Sequence, residues 1–338
     1  MRLLIVPIVF FFFTANQSVA IDFKSLKTDS GIKFWLVEDK SLPLISLSFL
    51  FKGGSSLDPV GKEGVTNLMT SLLDEGSDNF SAPEFKLAMR ENGVKISYSA
   101  SKEKINGTFQ VVKSQIQEGF WLLHESLNKP LFQLDKINEV KSQIEASIKI
   151  DQSNISTIAS DKFNDFFFIN NKLGKTVKGN LDSLSKIKRL DILKSFEKSI
   201  TKNNLVIGIA GDINSELAKK YIDYVFGNLP INNSIKPVST LPNLRNGVEI
   251  FEIDTPQTTV VFGQRGLSRN NKDYFSARIA NYILGGGGFQ SRLYKEIRER
   301  NGLVYSIYSY LLPFERIGII IGGFQTRNEN VKNTIQKV

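Results

Sequence analysis

Apolar and polar positions alternate along this chain with two different periods. A period of two runs through Gly31–Glu38 (GIKFWLVE) and Leu44–Phe51 (LISLSFLF), predicting two strands joined by a Lys-Ser-Leu-Pro turn. Lys52-Gly53-Gly54-Ser55 breaks the second strand. From Glu63 to Glu75 the period becomes helical, with Val65, Leu68, Leu72 and Leu73 on one face and Gly76 closing the helix. Ser81 and Glu84 form a capping box, and Pro83 lies in the first turn, so a second helix starts there. Strands follow at Val94–Ala100 and Lys104–Val111, then helices at Ser114–Asn128, Leu134–Asp151, Ile155–Ile169 and Arg189–Ser199. Leu205–Ala210 (LVIGIA) is nearly all apolar, which predicts a central strand buried on both faces, and Asn214–Phe226 reads as a closing helix.

After Leu229–Gly247, a Pro-, Asn- and Ser-rich linker, the order restarts. Strands are expected at Val248–Ile253 and Thr258–Gly263, and a helix at Tyr274–Leu284. Gln290–Ser309 (QSRLYKEIRERNGLVYSIYS) then gives a basic helix ending at Gly302 and a strand. The same pattern occurs at Ser81–Ser99 (SAPEFKLAMRENGVKISYS), aligned at Gly93. Each copy leads to a second strand ending in Phe-Gln, at Phe109-Gln110 and Phe324-Gln325. Asn328–Val338 resembles the first turns of Ser114–Asn128, so the second copy stops in mid-pattern, roughly 100 residues short of the first. The expected fold is α+β, with two homologous lobes, each a mainly antiparallel sheet covered by helices. Residues 21–228 form the N-terminal lobe, 229–247 the linker, and 248–338 a C-terminal lobe incomplete at its end. A lobe ending there would leave its sheet uncovered on one face.

Composition narrows the chemistry. Arg2, the apolar run Leu3–Phe13 and the small residues Ser18-Val19-Ala20 read as a secretory signal over residues 1–20. An N-terminal anchor is the alternative, although the run is too short to span a bilayer. The expectation is an exported protein, periplasmic if bacterial, with no transmembrane segment in the mature chain. The chain has no Cys, which excludes disulfides and thiolate metal sites. The formal charge of +9 is spread over most segments with no nucleic-acid motif, so a nucleic-acid partner is not expected.

The single His, His124, lies in FWLLHESL on an apolar-faced helix and reads as structural. One His cannot supply a hydrolytic zinc site, which normally needs three protein ligands, usually two or more of them His. A Ser-His-Asp triad would also need His124, and no G-x-S-x-G elbow occurs. Gly285-Gly286-Gly287-Gly288 lacks the Gly-Lys-Ser/Thr ending of a phosphate loop and reads as a turn between helices.

Lys52-Gly53-Gly54-Ser55, Gly64–Gly76, Gly208–Asp212 and Gly285–Tyr305, in this order and spacing, resemble the pitrilysin/insulinase family of zinc peptidases, mitochondrial processing peptidase included. The resemblance covers Ile32–Val338. It implies a catalytic helix carrying His-x-x-Glu-His, in which two His bind zinc and Glu activates water. Here Asn67 and Ser71 stand in place of the two His, and Thr70 in place of the Glu. The family's third ligand would fall near Ala146–Ser147. Glu145 and Glu139 are close, but at about 100° per residue they point elsewhere.

The second-half motif is intact: Phe289-x-Ser291-Arg292-Leu293, Glu296-x-Arg298 and Gly302-Leu303-x-Tyr305-Ser306. By the resemblance, Arg298 would bind a substrate carbonyl and Tyr305 would help stabilise the oxyanion at a zinc site on another lobe. The first copy has Arg90, but Ile96 and Ser97 fall where the Tyr would be. Arg298 in the last helical turn and Tyr305 early in the following strand could fold back to one point.

The resulting expectation is a non-catalytic, substrate-binding subunit that binds no metal. A homologous partner with His-x-x-Glu-His would hold the zinc and cleave the peptide substrate. The alternative is a structural or peptide-binding scaffold without proteolysis. A self-sufficient enzyme with an unfamiliar metal site is disfavoured by the single His.

Overall fold

A computed structural model describes residues 22–232 and 243–338. The expected signal at 1–20 lies outside the described residues, as does most of the expected linker. Strands β1 (Lys24–Lys27), β2 (Lys33–Glu38), β3 (Leu44–Lys52), β4 (Lys95–Ala100), β5 (Lys104–Val112) and β6 (Leu205–Gly211) form one sheet in the order β1-β2-β6-β3-β5-β4. Only the β2–β6 pair is parallel. Strands β7 (Gln257–Gly266), β8 (Ile307–Pro313) and β9 (Gly318–Arg327) form a second, antiparallel sheet in the order β7-β9-β8.

The helices are α1 (Val65–Thr70), α2 (Ala82–Glu91), α3 (Ile116–Asn128), α4 (Leu134–Asp151), α5 (Ile155–Phe167), α6 (Leu181–Lys186), α7 (Arg189–Ser199), α8 (Ser215–Phe226), α9 (Tyr274–Asn281) and α10 (Val331–Lys337). No described helix is long and apolar enough to cross a membrane. Alternation in β3 sends Ile45, Leu47, Phe49 and Phe51 into the helix-covered core, while Ser46 and Ser48 face solvent. The capping box at Ser81 and Glu84 is formed as read from the sequence.

Two readings of the first half change. The helix expected over Glu63–Glu75 ends at Thr70, and Leu72, Leu73 and Glu75 close tighter turns onto Met69, Thr70 and Leu72. Strand β6 is central, but only Ile207 and Ile209 are buried. Val206, Gly208 and Ala210 share the open face with Ser46, Ser48 and Trp35, so the apolar run reflects small residues on that face rather than two-sided burial.

The second half repeats the order β3, α1, α2, β4, β5, α3 as β7, α9, a second helix, β8, β9, α10. That second helix, Tyr294–Arg300, is a π-helix, and another π-helical turn, Tyr282–Gly286, extends α9 into the glycine run. Gly285 is needed there, because a Cβ would lie 2.4 Å from Ser309 Oγ and 2.7 Å from its nitrogen. Asn281 Nδ2 donates to the Ser309 carbonyl (3.1 Å) and Ser309 Oγ to Asn281 Oδ1 (3.0 Å), fixing α9 to β8.

Val248–Ile253 is not a strand: it has no regular structure, and no ladder receives it among the described residues. Its first-half counterpart β2 pairs with β1 and β6, and this sheet holds no equivalent of either. The second sheet is also not bare on its far face. Helix α5 of the first half lies across it, where Phe163, Phe167 and Phe168 pack with Val261, Ile319 and Ile321. The opposite face holds Leu293, Ile297, Val304, Ile307 and Phe324.

Candidate functional site

The positions matching the catalytic helix are closed by local hydrogen bonds. Thr70 Oγ1 and Ser71 Oγ both donate to the Asn67 carbonyl, at 2.9 and 3.0 Å. Such back-bonding is how hydroxyls satisfy themselves on a helix. The start of α1 is held from outside by buried Asp58, whose carboxylate accepts from Gly64 N–H (2.8 Å), Thr66 N–H (3.3 Å) and the Thr66 hydroxyl.

At the third position, Ser147 accepts from Lys178 Nζ (2.7 Å), and the same ammonium pairs with Asp151 at 2.6 Å. Glu139 pairs with Lys136 at 2.7 Å. Neutral amide and hydroxyl groups on α1, with a fixed cation beside α4, do not suit a dication. Among the described residues, no three His, Asp or Glu side chains converge as a metal site would require. His124 stacks on Tyr224 of α8 at 4.7 Å, its Nδ1 3.7 Å from the Glu125 carboxylate, and burial lowers its pKa. It packs between α3 and α8 and takes no part in the α1 site.

Arg298 and Tyr305 do come together. The Arg298 guanidinium lies 4.9 Å from the Tyr305 ring centroid, 4.7 Å from that of Tyr294 and 6.0 Å from that of Phe289. Among the described residues no carboxylate pairs with Arg298, whereas neighbouring Arg300 pairs with Glu296. Sequence reasoning missed Tyr294 and Phe289 as ring partners. The usable signal was an aromatic residue four positions before Arg298, the spacing that puts two side chains on one helix face.

Hydrogen bonds around the glycine caps define how the two copies correspond. Gly93 N–H donates to Arg90 O (3.3 Å) and Val94 N–H to Met89 O (2.8 Å). In the second copy Gly302 N–H donates to Arg298 O (2.9 Å) and Leu303 N–H to Ile297 O (3.1 Å). Arg298 therefore takes the place of Arg90, and the π-helix accommodates one extra residue before the cap. Both glycines have φ of +60°, the left-handed cap conformation.

The sequence reading placed Tyr305 early in the strand, and this is corrected: it lies on a bend before β8, 83% exposed. In the sheet, Ile96 opposes Phe109 and Ile307 opposes Phe324, so the second copy loops out additional residues after its glycine. Thr326 Oγ1 holds the Leu303 carbonyl at 2.6 Å, Val304 is buried, and the loop turns Tyr305 outward toward Arg298.

With this geometry established, comparison with known proteins gives the family. Residues 34–180 match the family model "Insulinase (Peptidase family M16)" and residues 186–338 match "Peptidase M16 inactive domain". The chain belongs to the insulinase (M16) family. Over 272 residues it is 27% identical to the "Non-peptidase homolog YmxG" of Helicobacter pylori, covering 80% of this chain and 63% of that one. It is 25% identical over 273 residues to "Uncharacterized zinc protease SCO5738" of Streptomyces coelicolor, covering 79% of this chain and 59% of that one. The matched region thus spans less than two thirds of either relative. The crystal structure of a peptidase M16 inactive domain from Pseudomonas fluorescens superposes with a TM-score of 0.89 at 25% identity, covering 93% of this chain and 77% of that one. In this chain Asn67, Thr70 and Ser71 stand where the family resemblance expects zinc ligands and base.

Proposed function

We propose that this protein is the substrate-binding, non-catalytic subunit of an exported M16-type peptidase, acting beside a homologous chain that carries His-x-x-Glu-His and zinc. The observation that carries the reading is the pair Arg298–Tyr305, a half-buried guanidinium held beside an exposed Tyr ring, with no carboxylate partner among the described residues. A guanidinium supplies permanently charged donors to a peptide carbonyl, and a phenol supplies one neutral donor to an oxyanion. Arg298 lies on the π-helix and Tyr305 on the looped-out bend, so both members of the pair sit where the second copy departs from the regular geometry of the first.

The test is peptide hydrolysis by the homologous His-x-x-Glu-His chain alone, by this chain alone, and by the mixture. The mixture should be active and this chain alone inactive. Arg298→Ala or Tyr305→Phe should lower the mixture's kcat/KM by about tenfold or more, in line with loss of a single transition-state donor. A loss of less than about threefold would remove the pair from the mechanism. An inert mixture would favour the scaffold role instead.

A further inference from the structure

Helices α3 and α8 of the first half lie side by side and run in the same direction. Phe120 stacks on Tyr221, His124 on Tyr224, and Asn128 Nδ2 donates to the Val225 carbonyl at 2.9 Å. Between the two helices opens a cleft of about 520 Å³, lined by Gln117, Glu118 and Trp121 of α3 and by Lys220, Tyr221 and Tyr224 of α8. That volume falls in the range of roughly 300–1,000 Å³ in which small-molecule sites are found. None of these residues belongs to the α1 site or to the Arg298–Tyr305 pair.

Each aromatic ring in the cleft wall is backed by a second ring. Phe80 lies 5.2 Å from Trp121, Phe120 4.5 Å from Tyr221 and His124 4.7 Å from Tyr224. Ring packing of this kind fixes the wall before a ligand arrives, which lowers the ordering cost of binding. Two opposite charges stand in the same wall. Burial raises the Tyr224 pKa, and the charges of Glu125 and Glu118 add to it, so a carboxylate of the cleft lies close to that ring. Glu118 is half-buried and Lys220 exposed, and among the described residues neither forms an ion pair or a side-chain hydrogen bond. Glu125 and Lys129, further along α3, by contrast pair with each other at 3.0 Å.

Ring faces are negative and attract a cation, the more so beside an acid. A primary ammonium brings three N–H donors, each needing an acceptor, whereas a quaternary ammonium donates none and is held by ring faces. Lys220 supplies the site for an anion at the edge of the same wall. We propose that the cleft between α3 and α8 binds a small zwitterion, its quaternary ammonium among Trp121, Tyr221, Tyr224 and Glu118 and its anionic group on Lys220. Phosphocholine, free or as a lipid headgroup, has this chemistry.

The probe is phosphocholine, titrated calorimetrically into the full chain and, by fluorescence, into a Trp35→Phe form. The chain has two Trp, so Trp121 is then the only reporter. Binding should saturate with a dissociation constant of about 1 mM or tighter and change the Trp121 emission. The isostere with a tert-butyl group in place of the trimethylammonium should bind about tenfold or more weakly, because only the cation is lost. Glu118→Gln and Tyr224→Leu, each with its circular dichroism unchanged, should weaken phosphocholine about threefold or more. Lys220→Met should weaken phosphocholine by about two- to fivefold and leave choline, which has no anion, unaffected. Co-sedimentation with phosphatidylcholine vesicles that Tyr224→Leu abolishes would mark the ligand as a headgroup, and binding of the free compound without it would mark a soluble one. A titration that does not saturate, binding that leaves Trp121 emission unchanged, or equal affinity for the isostere would overturn the proposal.

Discussion

Arg298 is held by rings rather than by a counter-charge, and this leaves its donors available. A guanidinium over a partly exposed ring gains about 0.5–1 kcal/mol, enough to bias a rotamer without neutralising the charge. Asp58 shows the opposite situation: it is 3% exposed, and burial pushes its carboxyl up from 3.8 to about 6, with Thr66 and Gly64 pulling it back. A folded-state pKa above the unfolded one means that the fold favours the protonated acid. The group's stabilising contribution is therefore complete below about pH 4 and is lost as pH rises through about 6. Asp58→Asn removes this titration but turns an amide N–H toward the donors at Gly64 and Thr66, at a cost of about 1–3 kcal/mol. In thermal melts from pH 4 to pH 7, the wild type should exceed the variant most at the acid end, the gap narrowing as pH rises. A gap that widened with pH would show that the hydrogen bonds to the carboxylate outweigh its burial.

The glycine caps separate conformation from contact at the level of one element. A Cβ on Gly302 meets nothing within 4 Å, and one on Gly93 meets only Val112 at 3.7 Å. Both substitutions to Ala therefore cost mainly the left-handed backbone, about 1–2 kcal/mol each. Their functional effects should differ, because only Gly302 sets the turn between Arg298 and Tyr305. Chemical denaturation should show similar losses for Gly93→Ala and Gly302→Ala, with only the latter lowering hydrolysis in the mixture. Equal activity losses would mean that the cap serves stability alone. Most of this was legible in the sequence. The capping box at Ser81, the bounds Leu134–Asp151 and Arg189–Ser199, and the duplicated glycine cap are local signals that tertiary packing left unchanged. The meeting of Arg298 with Tyr305 followed from their spacing. The π-helix and the bend at Tyr305 were not legible, because the seven residues Tyr294–Arg300 are too few for an apolar pattern to tell a π-helical turn from an α-helical one. The Val248–Ile253 strand failed for a different reason: alternation reports a tendency to extend, and only a neighbour makes an extended segment a strand.

At the scale of the whole molecule, the two halves are joined through α5, a helix contiguous in sequence with the first half and packed on the sheet of the second. Phe163 stacks on Phe167 at 5.0 Å, and its ring would lie 2.6 Å from a Cβ on Gly263, so β7 and α5 approach as closely as glycine allows. Glu103, at the turn between β4 and β5, accepts from Glu315 N–H at 2.8 Å, and Gln325 Nε2 donates to Ser156 Oγ at 3.0 Å. These polar contacts are exposed and contribute little beside the ring cluster. Stability of the second sheet should therefore depend on α5 more than on any residue within that sheet's own helices. Phe163→Ala, which empties the space above Gly263, is expected to cost about 2–4 kcal/mol. Gly263→Ala, which overfills it, is expected to cost about 1–3 kcal/mol. Amide exchange should locate both losses in β7 and β9, with β3 and β5 still protected, since Phe163 packs in the cluster on the second sheet and not in the larger core of the first. If β3 and β5 lose protection to the same degree, the halves unfold as one unit and α5 is part of a single cooperative core. If instead β7 and β9 are unmoved by Phe163→Ala, the second sheet is sustained by Leu293, Ile297 and Phe324 on its other face, and the cross-packed helix is not what secures it.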